Sequence, residues 1–122
     1  MIIENYQFGG ITINSVHYTS DVIIFSDYVK SNWWRKEGHS LCVEDLDEVL
    51  KSNPDILIIG TGCYGVMKVP EKIIEHLNNK GIQVIILKTG EAVKKFNEFC
   101  AEEKGNSEPP KKNVVAGLHL TC

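Results

Sequence analysis

Apolar and polar residues change their rhythm once along the chain. Ile11 and Ile13 alternate with Thr12 and Asn14, and Val16 and Tyr18 alternate with His17 and Thr19. Such period-2 alternation predicts half-buried strands, and the Asn14-Ser15 turn signal between them predicts a short hairpin. Gly9-Gly10 separates a preceding strand. Asp21 to Phe25 reads as a further strand, and Tyr28 to Trp34 as continued β structure, closed by a turn at Lys36-Glu37-Gly38. Beyond residue 41 the period becomes helical. Val43, Leu46, Val49 and Leu50 share one face, acidic residues lie at its start, and Asn53-Pro54 ends it.

Two later runs, Asp55 to Gly60 and Ile82 to Leu87, are apolar without alternation. Strands covered on both faces read this way. Pro70 suits the opening of a helix whose apolar side is Ile73, Ile74 and Leu77, with Gly81 after its end. Thr89 can cap a third helix, striped by Ala92, Val93, Phe96, Phe99 and Cys100. Lys104 to Lys112, with two prolines, reads as a mobile loop, and Val114 to Leu120 as a last strand. The middle is a βαβ unit, so strands 55–60 and 82–87 should run parallel with a right-handed crossover. The expectation is a single α/β domain over 1–122, mainly antiparallel β over 1–41 and alternating helix and strand over 42–122.

Composition narrows the classes. At 122 residues, 43% hydrophobic and 24% charged, the chain suits one globular core. No apolar stretch approaches the roughly 20 residues of a membrane helix, and no export signal is visible. The net charge of −3 is uneven: residues 1–60 carry −5 and residues 61–122 carry +2. Without a run of basic residues, and with a pI near 5.8, nucleic-acid binding is disfavoured. Cys42, Cys63, Cys100 and Cys122 lack zinc-ligand spacing with each other or with the histidines, so no metal is expected. They read as reduced thiols of a cytoplasmic protein.

Two features carry candidate chemistry. Gly60-Thr61-Gly62-Cys63-Tyr64-Gly65 matches G-x-G-x-x-G directly after a buried strand. A dinucleotide site needs the helix to begin at the third glycine and an acidic residue after the next strand. Here the helix opens at Pro70 and the next strand ends at Lys88, so no cofactor is expected. The loop could still hold a small molecule or anion with Gly60, Gly62, Cys63, Lys68 and His39, near two helix N-termini. The ordinary alternative is a strand-to-helix turn, with Cys63 a small loop residue. The second feature is Trp33-Trp34-Arg35. Adjacent residues on a strand face opposite ways, so one tryptophan should pack inward and the other meet solvent, a ligand or a partner. Trp and Arg are typical interface anchors. Asn97 and His119 read as structural polar residues that find hydrogen-bond partners.

Taken in order, these segments carry a resemblance. They are Trp33, Trp34 and Arg35 with Gly38-His39-Ser40-Leu41, then Ile59-Gly60-Thr61-Gly62, Val69-Pro70, Thr89 with Ala92-Val93 and Phe96-Asn97, and Leu118-His119-Leu120-Thr121-Cys122. The chain resembles the Mth-type, adipogenesis-associated domain family of unknown function, which includes a mitochondrial complex I assembly factor. The resemblance implies three layers around a central mixed five-stranded sheet, helices on its faces, and extra β structure from the N-terminal part. It also implies a last strand antiparallel to the others. It brings no reaction, cofactor or catalytic residue. The expected activity is therefore non-catalytic protein binding or assembly, through a protein partner or self-association; the alternative is a small-molecule or anion-binding protein, or an enzyme, with its site at the Gly60–Gly65 loop.

Overall fold

A computed structural model describes residues 1–34, 40–105 and 113–121. The alternating N-terminal residues form β1 (Ile3–Gln7), β2 (Gly10–Ile13) and β3 (Val16–Tyr18), an antiparallel three-stranded sheet. The β2–β3 connection is the expected two-residue turn. Asn14 and Ser15 both take positive φ, 49° and 69°, as a turn matched to strand twist requires.

A second sheet holds β4 (Val22–Ile24), β5 (Val29–Lys30), β6 (Ile56–Thr61), β7 (Gln83–Leu87) and β8 (Val114–His119). Its order is β5-β4-β8-β6-β7. β6 pairs in parallel with both β7 and β8, while β4 is antiparallel to β5 and β8. The strand running against the rest is therefore β4. The expected antiparallel final strand is corrected: β8 inserts between β4 and β6 and follows the direction of β6.

Among the described residues three helices complete the fold: α1 (Asp47–Lys51), entered through a 3-10 turn over Val43–Leu46, α2 (Glu71–Asn79) and α3 (Thr89–Gly105). Alternate residues of the central strands feed two cores, which defines the layers. Ile56, Ile58, Ala116 and Leu118 pack with Ala92 and Phe96 of α3 and with Ile3, Ile11 and Ile13 of the small sheet. Leu57, Ile59 and Val115 pack with Val49 of α1, Ile73 and Leu77 of α2, and Trp33. Asn97 ties the first layer together, its amide donating to the Ile3 carbonyl at 2.8 Å and accepting from the Ile3 N–H at 3.0 Å.

Three further expectations change. β structure ends at Lys30, so the tryptophans lie outside any strand. β7 is half-exposed along much of its length because it lies at the sheet edge. α3 continues to Gly105, taking Lys104 and Gly105 into the helix, while the rest of the expected loop lies outside the described residues, as does the Lys36-Glu37-Gly38 turn.

Candidate functional site

The loop after β6 sits at the carboxyl edge of the parallel strands, where open α/β sheets commonly bind ligands. Its geometry is governed by Thr89. The Thr89 hydroxyl accepts the Gly62 N–H at 2.9 Å and donates to the His119 carbonyl at 2.6 Å. The Thr89 N–H returns to the Gly62 carbonyl at 3.1 Å. The expected helix cap is thus a clasp between the β6 loop, α3 and β8. Gly60 is glycine for the same reason: a Cβ there would lie 2.9 Å from both the Thr89 Oγ1 and Leu118 Cδ2. Gly62 has φ +105°, a backbone that favours glycine.

Three N–H donors of this loop are spent inside the protein. Besides Gly62, the Cys63 N–H donates to the Thr121 carbonyl at 2.6 Å, and the Gly65 N–H to the Gly62 carbonyl at 3.2 Å. An anion cradle needs such N–H groups turned outward, and these three are not. Lys68 is exposed, with its carbonyl accepting the Leu41 N–H at 2.9 Å. His39 lies outside the described residues, although Ser40 pairs with Lys68.

The same edge gathers polar groups that no local motif announces. Asp21, just before β4, accepts the Leu120 N–H at 2.8 Å and contacts His119 Nδ1 at 2.7 Å, with both side chains largely buried. The Tyr6 hydroxyl donates to the Leu120 carbonyl at 3.0 Å and lies beside the Cys63 thiol and the Thr89 hydroxyl. Burial, reinforced by Cys63, pushes the Tyr6 phenol up to about 12. Above this network Phe8 and Tyr64 are exposed, their ring centroids 6.1 Å apart.

The tryptophan segment divides as expected, by a different mechanism. The Trp33 N–H donates to the Asp21 carbonyl at 2.9 Å, and its indole N–H to the Asp45 carbonyl at 3.0 Å. Its ring covers Gly117, where an added Cβ would come within 3.0 Å of it. Trp33 is 4% exposed and Trp34 82%. Trp34 borders a groove with Ile23, Glu44, Asp47 and the Lys30–Glu48 ion pair. Arg35 lies outside the described residues. Among the described residues, no three His, Cys, Asp or Glu side chains group to hold a metal ion, and no helix is long and apolar enough to cross a membrane.

The fold is a mixed α/β domain with a five-stranded sheet and a small antiparallel annex, presenting a clasped loop and an exposed tryptophan. The chain belongs to the DUF498/DUF598 family of proteins of unknown function, matched over residues 3–119. It is similar to the conserved hypothetical protein PH1505 of Pyrococcus horikoshii OT3, at 26% identity and TM-score 0.80 over 100% of both chains. A protein described as an outer membrane protein of Bartonella henselae is 25% identical, with TM-score 0.78 over 98% of this chain and 94% of that one. The protein MT938 shares the fold at 24% identity and TM-score 0.76, over 99% and 98%. The Mth-type resemblance is thereby the family itself.

Proposed function

We propose that this domain is a non-catalytic protein-binding or assembly domain of the cytoplasm, docking a protein partner at the face that carries Trp34. The observation behind this reading is the 82% exposure of Trp34 next to a tryptophan fixed at backbone and indole. A large aromatic on a rigid support offers contact area at little ordering cost, which is how interface anchors work. Trp33 is the support, Trp34 the anchor, and Arg35 the neighbouring charge expected to join it. The inward-turned donors of Gly62, Cys63 and Gly65 make the loop at Gly60 a weaker basis for ligand binding.

Tagged wild type, Trp34→Ala and Val16→Ala should be compared as baits in the native host by quantitative mass spectrometry. Val16 is also exposed, at 51%, but lies on β3 of the small sheet. Partner recovery should fall by about tenfold or more for Trp34→Ala, the effect of losing one interface anchor. It should hold for Val16→Ala. Equal recovery by all three baits would exclude the Trp34 face.

A further inference from the structure

Two cysteines of the chain converge at the carboxyl edge of β6 and β8. Cys63 lies in the clasped loop after β6, and Cys122 follows Thr121 beyond the end of β8. Within the strands, β6 and β8 run parallel with Thr61 level with His119. Beyond them, the Cys63 N–H donates to the Thr121 carbonyl at 2.6 Å. In a parallel pair, an N–H meets the carbonyl of the residue preceding its partner. The bond therefore sets Cys63 level with position 122, one residue further on than the strand register. Leu120 absorbs the extra residue: Asp21 accepts its N–H, while Tyr6 and Gly9 donate to its carbonyl. Cys122 lies outside the described residues, but a planar peptide joins it to the Thr121 carbonyl. Standard bond lengths along this route keep the two α-carbons within about 7 Å even at full stretch. Disulfides span about 4.4–6.8 Å between α-carbons, so any bend in the route brings the pair into range.

We propose that Cys63 and Cys122 are a redox pair, a dithiol that closes to an intramolecular disulfide when a low-molecular-weight disulfide such as oxidised glutathione accumulates. Cys63 is a half-buried thiol, open enough for a small disulfide to reach. Its thiolate, the proton released to solvent, attacks one sulfur of that molecule. The small S–S bond breaks, a mixed disulfide forms on Cys63, and one small thiolate leaves and takes up a proton. The Cys122 thiolate then attacks the Cys63 sulfur, the mixed bond breaks, and the second small thiol leaves in the same way. The two protein thiols give up two electrons and two protons, and the small disulfide gains them. In a reducing compartment the pair rests as the dithiol. Closure ties the β6 loop to the end of β8 covalently, where the Thr89 clasp already joins them by hydrogen bonds. Cys42 and Cys100 take no part, since one precedes the 3-10 turn into α1 and the other lies on α3. The proposal is independent of the Trp34 reading.

The test equilibrates the folded, full-length protein across graded ratios of reduced to oxidised glutathione, quenches with acid, and reads intact mass and peptide maps. Wild type at oxidising ratios should lose two hydrogens and yield one cross-linked peptide joining Cys63 to Cys122. Excess reduced glutathione should reverse it. Cys42→Ser and Cys100→Ser should close at the same ratio as wild type. Cys122→Ser should stop at the mixed disulfide, with one glutathione on Cys63, and Cys63→Ser should form no cross-link. The wild-type map decides the matter even where a variant folds poorly. Glutathione held on Cys63 beside an unlinked Cys122 would overturn the proposal. So would two thiols unreacted at every ratio, or disulfides that join other cysteines or two chains.

Discussion

Tyr6 shows how a single side chain reports its surroundings. Its phenol sits beside Cys63 and donates to the Leu120 carbonyl, and burial raises it to about 12 from an ordinary value near 10. The folded state therefore holds this proton more tightly than the unfolded chain does. The resulting stabilisation is complete below the unfolded value and is lost as pH rises from about 10 to about 12. Alkaline titration of tyrosinate absorbance should show one late phenol in the wild type, absent from Tyr6→Phe, with unfolding accelerating over the same window. A difference titration centred near 10 would contradict the buried placement. None of this is local in the sequence: Tyr6 and Leu120 are 114 positions apart, and Asp21 and His119 are 98 apart. Asn97 and His119 were legible as structural polar residues because polar groups among apolar neighbours need partners. Which partners they take is decided by tertiary packing.

The helices and the central strands were legible because their signals are covalently local. Pro70, Gly81, Asn53-Pro54 and the uninterrupted apolar run of β6 mark their own boundaries. Strand order and direction carry no such signal. β7 and β6 look equally apolar in sequence, yet β6 is buried throughout and β7 forms an edge. The direction of β8, expected from family resemblance, was reversed in the fold. Trp33 and Trp34 part ways without a strand's alternation, because Trp33 is drawn over Gly117 of β8 and tied to Asp21 and Asp45. This contact between an irregular segment and β8 makes a prediction. In Gly117→Ala the added carbon would lie 3.0 Å from the ring of a tryptophan held at backbone and indole. Stability should drop by about 1–3 kcal/mol, the usual result of overpacking, with a red shift of tryptophan emission as Trp33 loosens. A urea midpoint and spectrum matching the wild type would show that the indole is free to yield.

At the scale of the molecule, the two ends of the sheet differ. One end fixes Trp33 at backbone and indole and leaves the Trp34 ring in solvent; the other ends on the half-exposed strand β7. The G-x-G-x-x-G loop lies between them at the carboxyl edge, where Thr89 clasps Gly62 and His119. That clasp also changes how the loop can be probed. A Gly62→Val substitution at φ +105° strains the backbone whether or not a ligand binds, so its loss of function would report on folding. The discriminating variant is therefore Trp34→Ala, whose side chain is 82% exposed. Native mass spectrometry of the protein purified gently from its own host, wild type beside Trp34→Ala, tests the central claim most directly. The account predicts a stoichiometric protein complex that dissociates in the variant, without a small-molecule adduct. A discrete low-mass adduct present equally in both, with no bound protein, would contradict it and turn attention to the loop.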